Sequence, residues 1–214
     1  MSGGRGADDL SGRGGSDVIW GGGGRDKLNG GGGSDALSGG DGDDVLRDRK
    51  GDDHLDGGKG RDVLLGGKGR DVLLGGTGDD ALYGGRHNDR LDGGAGNDAL
   101  SGGHGRDRLI DDLGDDVLDG GKGRDVLDGG AGDDRLIGGK GGDVFILNSG
   151  DDVIADFGSG DRIDLSAFEE LDSLLDVIQH AQETGGDLVI DFGIDSLTIE
   201  NTQLSDLSEN VFVF

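Results

Sequence analysis

The sequence predicts an all-β solenoid: a right-handed parallel β-roll with two nine-residue phrases to each coil, closed by a small C-terminal α/β cap. Three observations predict it. The phrase G-G-x-G-x-D-x-U-x, with U a large apolar residue, runs in unbroken phase eighteen times over residues 3–164. Its sixth position is aspartate and its eighth apolar in every copy. Beyond Asp164 the period stops, and apolar residues at helical and then alternating spacing replace it. A fixed period of this kind implies stacked units, none of which can bury its apolar face without its neighbours.

Composition adds a condition. With 52 glycines in 214 residues, a formal charge of -26 and 31% hydrophobic residues, the chain would by composition alone be a self-repelling, disordered polymer. One buried apolar side chain per phrase cannot offset the ordering of so glycine-rich a backbone, and stacked aspartates repel. A divalent cation between them reverses the sign of that last effect. Cysteine is absent, which excludes disulfides and thiol chemistry. The opening MSGGRGADDL has no apolar signal region, and no run approaches the length of a membrane span. So acidic a surface disfavours nucleic acid as a partner.

Within each phrase, glycines at positions one, two and four permit left-handed backbone and close approach, so the first six residues are expected to form a turn. The last three form a short strand, with position eight inward and seven and nine facing solvent. Consecutive phrases then occupy opposite edges of one coil, and odd and even phrases build two opposed parallel sheets. Each aspartate stacks on that of the phrase two along, so Asp62 partners Asp44 and Asp80, whereas Asp71 partners Asp53 and Asp89.

The stacked carboxylates are the candidate metal ligands: Asp8, Asp17, Asp26, Asp35, Asp44, Asp53, Asp62, Asp71, Asp80, Asp89, Asp98, Asp107, Asp116, Asp125, Asp134, Asp143, Asp152 and Asp161. Together with turn carbonyls they make a set of hard oxygen donors, which Ca²⁺ prefers and zinc or copper do not. The phrase appears twice without change, as GGKGRDVLL, over residues 57–74, and it resembles the RTX nonapeptide of haemolysin-type calcium-binding proteins. That resemblance implies sites between turns, made from these aspartates and from glycine-turn carbonyls, with Gly57, Gly60, Gly66, Gly69, Gly75 and Gly78 as consensus positions. Eight gaps along each edge would admit up to about sixteen Ca²⁺ ions. Phrases that break the pattern are expected to make poorer gaps: 48–56 begins Asp48-Arg49, 111–119 begins Asp111-Asp112, Arg13 replaces a second glycine and His87 a fourth.

After the repeats, Leu171, Leu174, Leu175, Ile178 and Ala181 follow helical spacing, with Asp172 as expected N-cap and Gly185-Gly186 as stop. Residues 187–192 and 196–200 alternate around Gly193 as a hairpin, and 211–214 form a final apolar strand. Residues 165–214 are therefore read as the cap. They resemble the C-terminal region of type I secreted RTX proteins, which implies an uncleaved export signal, the type I secretion apparatus as partner and an extracellular location. The repeats start at Gly3 with no preceding cap, from which we expect either a module of a larger exported protein or self-association.

No H-E-x-x-H, G-x-S-x-G or G-K-[ST] motif is present, and the four histidines occupy unrelated slots, so the expected role is non-enzymatic. The leading reading is an extracellular calcium-binding module that folds on Ca²⁺ after secretion and stabilises or presents a secreted protein. Basic residues at positions three, five and seven, among them Lys59, Arg61, Lys68, Arg70, Arg106, Arg108, Lys122 and Arg124, support an alternative. They could bind an anionic polysaccharide, since RTX modules are found beside alginate-modifying enzymes.

Overall fold

A computed structural model describes every residue except Glu169, Glu170, Asp172 and Glu209. Each full strand starts at position seven of one phrase and runs through position three of the next, as in Val63–Lys68 and Val72–Thr77. Alternation along Val63–Lys68 buries Leu64 and Gly66 and leaves the residues between them part-exposed. The expected six-residue turn is thus corrected. In the full strands only positions four to six turn the chain and the glycine pair lies within the strand, whereas shorter ones such as Lys27–Asn29 and Val126–Asp128 end at position nine as expected. The physical reason is period two: positions six, eight and one are each two apart, so all three face inward.

Among the described residues these strands form an 11-stranded and a 13-stranded sheet, with odd and even phrases in separate sheets. Pairing within the roll is parallel, and every ladder steps by one coil: Leu64 lies beside Leu82, Leu82 beside Leu100, and Leu73 beside Leu91. The eighth-position side chains fill the interior in two files, and from Ile19 to Ile163 none is more than 2% exposed. Backbone amides in the turns bond to the next coil as well, Gly60 N–H to the Thr77 carbonyl at 2.9 Å and Gly78 N–H to that of Ala95 at 2.7 Å.

The two sheets end differently. Strand Asp151–Ile154 pairs in parallel with Ser196–Ile199, which then continues antiparallel through Asp187–Asp191 to Ala181–Thr184. The other sheet closes with Phe212–Val213 against Arg162–Asp164. The expected hairpin and terminal strand are therefore present, but the helix is shorter than its spacing implied. It spans Leu174–His180, and Ser173 caps it by accepting a hydrogen bond from the Asp176 N–H; the expected cap, Asp172, lies outside the described residues. Ala181 begins a strand, so Gly185-Gly186 turn a hairpin and do not stop a helix. With so late a start the inward residue is Val177, while Leu175 and Ile178 stand 64% and 38% exposed. Among the described residues no helix is long and apolar enough to cross a membrane.

Because Leu73 is fully buried in one of the two files of the core with coils above and below, Leu73→Ala should cost about 2–5 kcal/mol. Equilibrium urea denaturation in calcium would read it, with a change below about 0.5 kcal/mol contradicting the packing described.

Candidate metal centre

The repeat aspartates form two internal columns. Asp62 Oδ1 accepts from the Asp44 N–H at 2.7 Å, and Asp80 Oδ1 accepts from the Asp62 N–H at 2.7 Å. On the opposite edge Asp71 Oδ1 accepts from Asp53 N–H and Asp89 Oδ1 from Asp71 N–H, both at 2.9 Å. The partners are those the period-eighteen stacking requires, and Asp62 and Asp71 belong to different columns. The columns run from Asp8 and Asp17 up to Asp152 and Asp161, each carboxylate from Asp26 onward tied to the coil before it. These side chains sit inside the roll and not on its outer edge: from Asp26 to Asp152 none of them is more than 5% exposed.

The second oxygen is different. In sixteen of the eighteen repeat aspartates, from Asp8 to Asp143, Oδ2 is buried and has no hydrogen-bond partner. Asp161, in the last degenerate phrase, is an exception, its Oδ2 accepting from the Gly158 N–H at 2.8 Å. A buried carboxylate oxygen without a donor is costly, so a repeated row of them requires an explanation.

The first-position glycines show what surrounds that oxygen. A Cβ added to Gly57 would stand 2.5 Å from Asp62 Oδ2 and 2.7 Å from the Gly75 carbonyl oxygen; one added to Gly75 would stand 2.6 Å from Asp80 Oδ2 and 2.5 Å from the Gly93 carbonyl. Gly66 likewise abuts Asp71 Oδ2 at 2.6 Å. The carboxylate of each phrase therefore fills the space that a side chain at its own first position would take. A carbonyl of the next coil faces the same gap. Fourth-position glycines have another reason to be glycine: Gly60, Gly69 and Gly78 have φ of 122°, 136° and 117°, and each lies directly over the fourth-position carbonyl one coil earlier. Without glycine, His87 at position four holds φ of 78° and Arg13 at position two holds 77°, so each keeps the left-handed backbone of the glycine it replaces.

Burial dominates the electrostatics. It raises Asp53, Asp62, Asp71, Asp107 and Asp116 to about 6, partly opposed by the amide each accepts from. Asp80, Asp125, Asp134 and Asp152 rise to about 7, and Asp89 to about 8, for the same leading reason. Aspartates on the outer surface behave oppositely. Backbone hydrogen bonds from Arg61 and Arg70 hold Asp43 and Asp52 low, and the Arg61 side chain does so for Asp79.

The donor set is thus made of carboxylate and carbonyl oxygens only, with no nitrogen or sulfur ligand in the columns, and it fits a hard divalent cation of Ca²⁺ type. Two substitutions expected only to weaken gaps do something else: Asp48 and Asp111, at first positions, are 3% and 2% exposed and turn carboxylates inward. The basic residues divide. Lys68, Arg86, His104, Lys122 and Lys140 lie in register on successive coils of one sheet, whereas Arg108 lies in the other sheet, between Arg90 and Val126.

A family comparison agrees with the repeat pattern. The RTX calcium-binding nonapeptide repeat matches over residues 2–37, 38–73, 65–100, 74–109, 101–136, 110–145, 119–154 and 128–162. Among solved structures the chain is similar to the extracellular lipase LipA from Serratia marcescens, with a TM-score of 0.47 and 21% identity. That alignment covers 89% of this chain and 40% of the lipase chain. The comparison with curated proteins found no match. Eighteen phrases in phase, two internal columns of aspartate and a family match running through the whole repeat region lead to one conclusion: the chain belongs to the RTX calcium-binding nonapeptide repeat family.

Proposed function

We propose that residues 3–164 are a calcium-dependent folding module of a secreted protein, disordered where calcium is scarce and folded outside the cell. The observation that carries this reading is the row of sixteen buried Oδ2 atoms without donors. The aspartates from Asp8 to Asp143 would hold the ions, with carbonyls of Gly57, Gly66, Gly75 and their equivalents facing the same gaps, and Gly60, Gly69 and Gly78 lining the turns. Bound Ca²⁺ supplies positive charge and oxygen coordination where the protein offers no donor, so binding energy is folding energy. Residues 165–214 would cap the roll and carry the export signal for type I secretion. The module's own work in this reading is to stabilise or present whatever it is joined to.

A second reading has its own observation. Lys50, Lys68, Arg86, His104, Lys122 and Lys140 are all exposed. From Lys68 to Lys140 they occupy matching positions on consecutive coils, and none of the lysines or Arg86 in this row is ion-paired among the described residues. A cationic row at about 4.8 Å per step matches a linear polyanion. An accessory role in binding a uronic-acid polysaccharide rests on that row.

Three outcomes are expected. In excess chelator at neutral pH, circular dichroism should show loss of the β-signal and its return on adding Ca²⁺ but not Mg²⁺; full β-structure in chelator would overturn the leading reading. The pH dependence follows from the raised carboxyl groups. Their folded values, about 6 to 8, lie above the ordinary value of 3.8, so the folded state binds more protons across that window. Their protonation stabilises the metal-free roll at low pH, and that stability is lost as pH rises through the folded values. Metal-free protein should therefore gain β-structure as pH falls from about 8 towards 4, while the calcium needed for folding rises because protons compete. A calcium midpoint that does not move with pH would contradict it. For the second reading, Arg86→Ser with Lys122→Ser should release the calcium-loaded protein from immobilised polyuronate at lower salt; an unchanged elution position would discard that reading.

A further inference from the structure

Asp48 and Asp111 are the two aspartates that replace a first-position glycine within the regular phrases. Elsewhere that glycine leaves room for the carboxylate of its own phrase, and its carbonyl faces the gap of the preceding coil. In the coil before Asp48 the arrangement is altered. A side chain placed on Gly30 would run into both Asp48 Oδ2 and Asp35 Oδ2, and one placed on Gly93 into both Asp111 Oδ2 and Asp98 Oδ2. At Gly57 and Gly75 the oxygens met are a carboxylate and a neutral carbonyl. The exception exchanges the carbonyl for a second charged oxygen aimed at the same gap.

Each gap then gathers three carboxylates. One oxygen from each of Asp35, Asp48 and Asp53 lies within 4.8 Å of the others, and the same holds for Asp98, Asp111 and Asp116. All six residues are at most 4% exposed, and every one of their Oδ2 atoms is buried without a hydrogen-bond partner. Oδ1 of Asp48 and of Asp111 accepts the N–H of the following residue, Arg49 at 2.6 Å and Asp112 at 3.0 Å, which fixes the carboxylate with its second oxygen turned inward. The strands end at Arg47 and Ile110, immediately before these residues, yet Asp48 N–H still bonds to the Leu65 carbonyl at 2.7 Å and Asp111 N–H to that of Asp128 at 2.8 Å, which holds each to the next coil. The first cluster belongs to the column of Asp53 and Asp71, the second to that of Asp62 and Asp80.

We propose that Asp35, Asp48 and Asp53, and separately Asp98, Asp111 and Asp116, form two divalent-cation sites of higher affinity than the ordinary gaps, one in each column, which fill first and nucleate the roll. Affinity of oxygen-donor sites for Ca²⁺ is set by ligand charge and rigidity. A third carboxylate raises the charge, and the Oδ1 hydrogen bond removes freedom the side chain would otherwise lose on binding. Each of these gaps crowds a further buried carboxylate against the others in the absence of a cation. With one they are the most attractive, so the chain's first ordered coils on calcium addition are those that flank them.

This inference rests on the calcium-dependent folding proposed above, and the test separates the two. Asp48→Gly and Asp111→Gly restore the consensus phrase, so neither adds bulk; Asp48→Asn and Asp111→Asn keep the shape and remove one charge. Equilibrium dialysis with radioactive calcium, followed in parallel by circular dichroism, should find about two ions per wild-type chain binding ahead of the rest, one for each cluster. Each substitution should remove one tight ion or weaken it by about tenfold or more, and the double Gly variant should need more calcium to reach half-folding. If the wild type folds on calcium while all four variants keep its tight class and midpoint, the nucleating sites are refuted and the folding module stands. If calcium does not fold the wild type at all, both fall.

Discussion

The structure depends on how one carboxylate is divided between two partners. From Asp26 onward, Oδ1 of each repeat aspartate accepts the amide of the aspartate one coil earlier, as Asp62 does from Asp44, and so sets the spacing of the turns. Up to Asp143, Oδ2 of the same group is buried with no donor at all. The first oxygen makes the column and the second leaves it incomplete, because a desolvated anionic oxygen without a partner opposes folding. Everything else in the phrase accommodates that group: the first glycine clears its space, the fourth lets successive turns approach, and the apolar eighth residue fills the interior beside it.

Identical residue types meet opposite fates a few ångströms apart. Asp43, Asp52 and Asp79 sit on the outside at position five, where arginine neighbours one coil away hold them ionised. The next residue in each case, Asp44, Asp53 or Asp80, turns inward and is pushed the other way by burial. The pairs that look like duplicated acids in the sequence are therefore one surface charge and one buried carboxylate. Exposed ion pairs such as Arg61 with Asp79 contribute little to stability individually. Their effect is to offset part of the charge that the roll displays to solvent.

Much of this was legible in the sequence. Unbroken period nine, with aspartate and an apolar residue at fixed places, yields the coil of two phrases, the parallel ladders and the partners Asp44–Asp62–Asp80. The inward orientation of the aspartates was equally available, since positions six, eight and one are spaced by two, but glycine has no side chain to announce that it faces the core. For the same reason the strand looked three residues long everywhere, although in coils such as Val63–Lys68 it runs to six. Asp48 and Asp111 were read as lost glycines because a single letter cannot say where its carboxylate points. The cap was harder: the spacing of Leu171 to Ala181 fits a helix, yet the helix starts only at Leu174, and antiparallel pairing of Ala181–Thr184 with Asp187–Asp191 ends it at His180.

The constant register of the ladders bears on how fast such a protein can fold. Within the repeats each parallel pair joins residues 18 apart, Leu64 to Leu82 and Leu73 to Leu91 alike, and only the cap strands reach farther. Parallel sheets ordinarily require distant segments to meet and are slow for that reason. Here every added coil closes a ring of the same small size, and the loop-closure entropy does not grow as the roll lengthens. For ladders this local in a chain of 214 residues, the relative contact order is about 0.1, in the range of helical bundles. An all-β protein built this way can zip along its axis at helical speed once a first coil has formed, and the time it waits is the time that first coil takes.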